Sequence, residues 1–187
     1  MRIISGDKRR LPLFTPKGNK IRPTSDKIKE TLFNMIGDNL YDSVFVDLFS
    51  GTGQIGIEAI SRGARLGVFI DFDKDALKLT GENIKRADME DKSIIYRGNL
   101  PAHISKLNNL DDITYIFMDP PYKAGLYETT IKEIASLRGF NEDSVLIAES
   151  PLNEDFSFVR NFGLFVIKEK NYKTSKHVFI KRTTEDI

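Results

Sequence analysis

One short stretch of the sequence, Asp119-Pro120-Pro121-Tyr122, places a carboxylate, two rigid residues and an aromatic ring directly after an apolar run. These residue types suit a reaction at an exocyclic amine of a nucleic-acid base, whose nitrogen is a poor nucleophile because its lone pair is delocalised into the ring. Asp119 and the carbonyl of Pro120 could accept both amine hydrogens, and two successive prolines would stiffen these acceptors. Tyr122 could support an unstacked base, a contact worth roughly 1–3 kcal/mol. We therefore predict that all four residues are catalytic.

A second candidate site is the stretch 47–56, DLFSGTGQIG, which follows another apolar run and contains a G-x-G-x-x-G pattern. Glycines at these positions allow a tight strand-to-helix turn and a close approach of the backbone to a ligand. Asp71 follows Gly51 by 20 residues, at the end of the next apolar run, where it could accept hydrogen bonds from the ribose of an adenosine. The pattern by itself fits both a nicotinamide dinucleotide and S-adenosylmethionine.

Asp47 favours S-adenosylmethionine of these two ligands. A carboxylate at the strand end would repel a pyrophosphate and attract the ammonium group of a methionine moiety. Asn99 could hydrogen-bond the adenine edge, because an amide both donates and accepts. The predicted cofactor contacts are the strand end, the turn and the residues after the next two strands: Asp47, Phe49, Ser50, Gly51, Gly53, Asp71, Phe72, Asn99 and Leu100.

The composition narrows the classes of function. The 187 residues include no cysteine, which excludes thiolate metal sites and the covalent mechanism of pyrimidine C5 methylation. His103 and His177 are too far apart for a recognised metal spacing, so we interpret them as surface or packing residues and expect no metal. The sequence has neither a signal peptide nor a run of about 18 apolar residues, so we expect a cytoplasmic protein without membrane contact.

Basic residues are concentrated near both ends of the chain, although the net charge is only +1. Residues 1–30 contain nine Lys or Arg and three acidic residues, and residues 168–182 contain six basic residues and one acidic residue. This distribution is typical of a protein whose ends contact a polyanion, and solvated charged faces are the alternative interpretation.

Short apolar runs alternate with amphipathic stretches along the chain. The runs at 43–47, 66–71, 93–96, 115–119 and 144–149 predict strands buried on both faces, and the stretches 54–62, 74–88 and 127–137 predict helices. This alternation indicates an α/β fold with a mostly parallel sheet and covering helices. Residues 164–168 and 177–181 predict an antiparallel C-terminal hairpin. We expect a basic N-terminal extension over residues 1–36, with a hairpin and a helix at 27–35, followed by one domain over residues 37–187.

These motifs resemble one known family. Residues 22–34 (RPTSDKIKETLFN), residues 47–64 (DLFSGTGQIGIEAISRGA), the acid pair Asp71 and Asp73, Asn83 and the DPPY motif are similar to the RsmD family, bacterial guanine-N2 methyltransferases of 16S ribosomal RNA. The resemblance extends over nearly the whole chain. The family pattern often has Glu at the position of Asp71, Asp at that of Asn99 and Tyr-Gly where this chain has Tyr172-Lys173.

The resemblance implies a Rossmann-like class I methyltransferase fold that uses S-adenosylmethionine. It also implies transfer to the N2 amine of a guanine in 16S ribosomal RNA, presented within the small subunit or its assembly intermediate. We expect a monomer whose RNA contacts lie in the N-terminal part of the chain: Lys8, Arg9, Arg10, Arg22 and Thr24. For Arg22 and Thr24, a structural clasp is the alternative role.

Other functions stay open at this point. The DPPY motif also occurs in adenine-N6 and cytosine-N4 methyltransferases of nucleic acids. An NAD-dependent oxidoreductase would share the glycine-rich turn, and a non-catalytic RNA-binding module could retain the fold without the activity.

Overall fold

The computed structural model describes residues 1–16, 25–121 and 125–182. The chain divides into two compact units, Met1–Arg97 and Gly98–Ile187. Among the described residues, no helix is long and apolar enough to cross a membrane.

The described part of the first unit contains three parallel strands and three α-helices. The strands β1 (Val44–Leu48), β2 (Leu66–Asp71) and β3 (Ser93–Arg97) pair in the order β3-β2-β1. The helices are α1 (Asp26–Ile36), α2 (Gln54–Ser61) and α3 (Lys74–Arg86). Side chains that accept hydrogen bonds from the first turn fix two of the helix starts: Ser25 caps α1 and Asp73 caps α3.

The N-terminal segment packs on the helices of this unit. Ile3 and Leu13 are buried in one apolar cluster with residues of α2, β2 and α3. An isolated antiparallel bridge joins Arg2 to Pro12, and a turn with Arg10 at φ 72° connects the two arms. These two arms are part of the first unit. The predicted boundary at residue 36 stays a prediction.

Over its described residues, the second unit contains four strands and one α-helix. The strands are β4 (Tyr115–Met118), β5 (Val145–Pro151), β6 (Leu164–Asn171) and β7 (Ser175–Arg182), and the helix is α4 (Leu126–Ala135). β4 pairs with β5 in parallel, and β5-β7-β6 is antiparallel. The C-terminal hairpin is thus confirmed. β6 ends later and β7 begins earlier than predicted, which leaves a turn of only three residues between them.

The predicted mostly parallel α/β fold is confirmed, with two differences from the expected burial. β1, β4 and most of β2 and β5 are buried, as continuous apolar runs predict. β3 is half-buried, although its run resembles the others, because it is the last strand of the order β3-β2-β1. β6 is exposed along almost its whole length for the same reason, at the end of the order β5-β7-β6.

Candidate functional site

The glycine-rich turn joins β1 to α2 with three residues in the left-handed region. Phe49, Gly51 and Gly53 have φ values of 60°, 54° and 73°. A Cβ atom on Gly53 would lie 2.7 Å from a methyl group of Thr80, and one on Gly56 would lie 2.4 Å from the ring of Phe69. The second and third glycines of the pattern are therefore required by packing.

Side chains from β2 and α3 hold the turn in place. The N–H of Gly51 donates to Asp71 Oδ2 at 2.8 Å, Thr80 Oγ1 donates to the carbonyl of Gly51 at 2.9 Å, and Asn83 Nδ2 donates to the carbonyl of Thr52 at 3.0 Å. Asn83 also bonds both backbone groups of Phe14. Its position in the family pattern thus has a structural explanation, since it joins the N-terminal segment to the turn.

Two buried polar atoms of the turn, Ser50 Oγ and Gln54 Oε1, have no hydrogen-bond partner in the part of the chain that the structure describes. A buried polar group without a partner costs about 1–3 kcal/mol, so such atoms indicate a missing ligand or water. Ser50 is a predicted cofactor contact, whereas Gln54 was not predicted, because the G-x-G-x-x-G pattern leaves that position free.

Asp47 is almost fully buried at the end of β1 and accepts a hydrogen bond from the N–H of Gly56 at 2.9 Å. Gly56 lies in the first turn of α2, where backbone N–H groups are free to bind an anion. The carboxylate therefore already occupies part of the position that a pyrophosphate would need.

Asp71 lies at the end of β2 and is buried, with Oδ2 on Gly51 and Oδ1 on the N–H of Asp73 at 3.0 Å. A carboxylate has about four acceptor positions, so two remain for other donors. The neighbouring Phe72 ring is 59% exposed. An exposed aromatic ring beside a buried carboxylate suits contact with the sugar and base of a nucleoside.

Asn99 and Leu100 belong to the second unit. Leu100 is buried, whereas Asn99 is exposed and its backbone is held by the ring of His103, with 2.9 Å between the Asn99 N–H and Nδ1. His103 thus has a structural role in this turn.

Asp119 follows β4 directly and is partly buried, next to a buried Pro120 and an exposed Pro121. None of the described residues donates a hydrogen bond to its carboxylate. Burial, and then the carboxylate of Glu149, raise the pKa of Asp119 to about 7. Asp119 can therefore both accept hydrogen bonds and take up a proton near neutral pH. Tyr122, Arg22 and Thr24 lie outside the described residues.

A polar chain that the sequence analysis did not predict lies beside Asp119. Glu149 Oε2 lies 3.3 Å from Nε2 of His177, and the hydroxyl of Tyr172 lies 2.9 Å from Nδ1 of the same ring. His177 is completely buried, which agrees with its interpretation as a packing residue, and it also makes two polar contacts that were not predicted. Strand pairing brings these residues together, and no short-range sequence pattern indicates it.

The basic N-terminal residues lie in the turn of the first hairpin. Arg9 and Arg10 are exposed, and Lys8 Nζ lies 3.5 Å from Asp88 Oδ2. Backbone bonds from Asp7 and Lys8 to Ser61 attach this turn to α2. Among the residues that the structure describes, no group of three or more His, Asp or Glu side chains could hold a metal ion.

A family model described as "Conserved hypothetical protein 95" matches residues 1–181. The chain belongs to this family. The resemblance inferred from the sequence is confirmed by the relatives named "Ribosomal RNA small subunit methyltransferase D". One from Buchnera aphidicola is 30% identical over 90% of this chain and 87% of its own length, and one from Escherichia coli is 29% identical over 80% and 74%. A Bacillus subtilis protein, YlbH, provisionally named an rRNA methyltransferase, is 35% identical over 80% and 82%.

Solved structures show the same fold for this member of the family. An Escherichia coli protein, YhhF, described provisionally as a methyltransferase, superimposes with a TM-score of 0.84 at 24% identity and covers 99% of both chains. A protein crystallised with S-adenosylhomocysteine matches with a TM-score of 0.65 at 16% identity, over 83% of this chain and 48% of its own. The predicted Rossmann-like class I methyltransferase fold is therefore confirmed.

Proposed function

We propose that this protein transfers a methyl group from S-adenosylmethionine to small-subunit ribosomal RNA. The observation that carries this proposal is the carboxylate of Asp119, which accepts no hydrogen bond from the described residues. It occurs in a chain whose curated relatives are named ribosomal RNA small subunit methyltransferases. A carboxylate without a donor among the described residues supports a substrate amine as its partner.

The first unit contains residues that fit the cofactor. S-adenosylmethionine supplies an activated methyl group on a positively charged sulfur. Ser50 Oγ and Gln54 Oε1, both buried without a partner, could pair with its polar amino-acid portion. Asp71 would accept the ribose hydroxyls beside the exposed ring of Phe72. In the second unit, Asn99 would bond the adenine edge and Leu100 would pack against it.

The second unit contains the acceptors for the substrate amine. Asp119 would accept one amine hydrogen and the carbonyl of Pro120 the other, which orients the nitrogen lone pair away from both. Positioning of this kind is enough for direct displacement, which needs no covalent intermediate. The lack of cysteine is consistent with this chemistry.

We further propose the N2 amine of a guanine in 16S ribosomal RNA as the acceptor, with the assembled or assembling subunit as substrate and a monomeric enzyme. The family resemblance supports this choice. Adenine-N6 and cytosine-N4 methylation are the alternatives, because the same motif serves those amines. Lys8, Arg9 and Arg10 would contact RNA phosphates, and Arg22 and Thr24 complete the proposed RNA-contacting set.

A nicotinamide enzyme is the less favoured function. The glycine pattern admits a dinucleotide, but the buried carboxylate of Asp47 accepts the N–H of Gly56 at the start of α2. A pyrophosphate there would lose that donor and meet a negative charge.

The test is an incubation with methyl-labelled S-adenosylmethionine and three acceptors: small subunits lacking the modification, naked ribosomal RNA and DNA. Nucleoside mass spectrometry then identifies the product. We expect label in N2-methylguanosine, and the ratio of subunit to naked RNA shows which form is recognised. Label in methyladenine or methylcytosine would replace the base assignment. No label despite cofactor binding would contradict the proposal and favour a non-catalytic RNA-binding module.

A further inference from the structure

The strand register of the second unit places three titratable residues in one row. β4 and β5 pair in parallel with Met118 opposite Ala148, so Asp119 and Glu149 are the next residues on neighbouring strands, which lie about 4.8 Å apart. In the antiparallel pair β5 and β7, Glu149 is directly opposite His177. Residues that pair across a sheet share a face.

Hydrogen bonds extend this row to a fourth residue. His177 Nε2 lies 3.3 Å from Glu149 Oε2, and the Tyr172 hydroxyl lies 2.9 Å from His177 Nδ1. Glu149 and His177 are buried, and Tyr172 is half-buried. We call Glu149, His177 and Tyr172 the carboxylate chain. It connects Asp119 to the C-terminal hairpin.

The protons of the carboxylate chain can be assigned from its chemistry. Burial, and then the charge of Glu149, raise the pKa of Tyr172 to about 12, so the phenol keeps its proton. The carboxylate of Glu149 can only accept, which assigns a proton to Nε2 and leaves Nδ1 of a neutral ring to accept from the Tyr172 hydroxyl. This arrangement keeps the Glu149 oxygen an acceptor and its negative charge in place.

Few other charged groups of the described second unit lie near this row. From α4, Tyr127 donates its hydroxyl to the backbone carbonyl of Glu149 at 2.9 Å. Lys176 on β7 is adjacent to His177 and points to the opposite face, where it pairs with Glu169 at 3.3 Å. Lys170, opposite His177 on β6, is exposed. Among the described residues of the second unit, Glu149 is therefore the main charge that acts on Asp119.

We propose that Glu149, held by His177 and Tyr172, is a positioning residue whose negative charge makes Asp119 the acceptor of the proton that the substrate amine releases. This inference rests on the proposed methyl transfer. It adds three residues, Glu149, His177 and Tyr172, to those that determine the reaction.

The step balances with groups already named. The amine nitrogen forms a bond to the methyl carbon while the sulfur–carbon bond breaks, and the bonding pair stays on sulfur. The nitrogen then carries one proton too many, and this proton passes to the carboxylate of Asp119 and from there to water. Without Glu149, Asp119 would be a weaker base and would keep the proton less well at the moment of transfer.

The direct test is a ¹³C NMR titration of Asp119 in the full-length protein, with its carboxyl resonance assigned by its absence in Asp119→Asn. We expect the Asp119 midpoint near pH 7 in the wild type and about one pH unit lower in Glu149→Gln. Glu133→Gln, which removes an exposed carboxylate from α4, is the matched control and should leave the midpoint unchanged. An equal midpoint in the wild type and Glu149→Gln would overturn the proposal.

The roles of His177 and Tyr172 have their own readouts. His177→Gln keeps an N–H donor for Glu149 and should retain the wild-type midpoint of Asp119. Tyr172→Phe removes a half-buried hydroxyl. The ¹⁵N shifts of the His177 imidazole should then change from those of one tautomer to those of a mixture of both. A single unchanged tautomer in Tyr172→Phe would remove Tyr172 from the proposal.

Single-turnover methyl transfer between pH 5.5 and 9 then links the titration to catalysis. We expect the midpoint of the wild-type rate to move to lower pH in Glu149→Gln, with a several-fold lower plateau and an unchanged cofactor Kd. A lower rate with an unmoved midpoint would indicate a purely structural role and overturn the proposal. If the wild type transfers no methyl group, the proposed function fails, whereas the NMR titration still decides whether Glu149 acts on Asp119.

Discussion

The ammonium group of Lys29 lies 3.1 Å from the carboxylate of Glu58, and neither side chain is exposed to solvent. Glu58 also accepts the backbone N–H groups of Ile4 and Ser5, and Lys29 donates to the carbonyl of Arg2. The pair thus joins α1, α2 and the N-terminal segment. Burial lowers the pKa of Lys29, and the charge of Glu58 opposes that change.

Replacing Glu58 by Gln should destabilise the protein by about 3–5 kcal/mol, because the Lys29 ammonium would stay buried without a counter-charge. Urea unfolding measures this change. The matched control is Asp88→Asn, which removes the exposed partner of Lys8 and should cost less than about 1 kcal/mol. Similar losses of stability in the two variants would show that the buried ion pair contributes no more than the exposed one.

Replacing Gly56 by Ala should lower stability by roughly 1–3 kcal/mol, because the added Cβ would lie 2.4 Å from the ring of Phe69. Gly37→Ala is the control, since no atom lies within 4 Å of its Cβ position and only its φ of 68° opposes the change. Thermal unfolding compares the two. A larger loss for Gly37→Ala would contradict the assignment of Gly56 to packing.

Replacing Asp119 by Ala should remove most turnover while cofactor affinity is kept, because the carboxylate is needed mainly at the reacting amine. Calorimetric titration with S-adenosylhomocysteine and single-turnover rates measure the two effects separately. An equal loss of cofactor affinity would refute this assignment.

The raised pKa of Asp119 also predicts how stability depends on pH. Between about pH 4 and 7 the unfolded chain has lost the Asp119 proton and the folded protein keeps it, so this group lowers the free energy of unfolding as pH rises. The variant Asp119→Asn has no titrating carboxyl at this position. It should therefore gain stability relative to the wild type as pH rises from about 4 to 7. Denaturant unfolding at pH 5 and pH 8 measures the stability of the variant relative to the wild type. A gain at pH 5 without one at pH 8 would contradict the prediction.

Reversing the charge of Arg9 should weaken RNA binding and reduce the slope of log affinity against log salt by about 1. Arg9 is exposed in the N-terminal turn, so the variant Arg9→Glu should fold normally. Lys132→Glu on α4 is the control for charge alone. Fluorescence anisotropy at several salt concentrations measures the slope, and an unchanged slope would place the RNA elsewhere.

Local patterns were sufficient for most of the architecture. Continuous apolar runs predicted β1, β2, β4 and β5, and the glycine spacing predicted the turn before α2. These features depend on residues close together in the chain, which is why sequence alone could indicate them. It could not show that β3 is half-buried and β6 is exposed, because that depends on where each strand lies in the sheet.

The sequence by itself therefore determined the fold class, the family, the glycine turn and the position of Asp119 after a buried strand. Only the tertiary structure decided which side chains act together. Glu149 and His177 are 28 residues apart in the chain and become neighbours through antiparallel pairing. Lys29 and Glu58 become neighbours because α1 and α2 both contact the N-terminal segment. Such contacts arise from long-range pairing and burial, which no local spacing of residue types specifies.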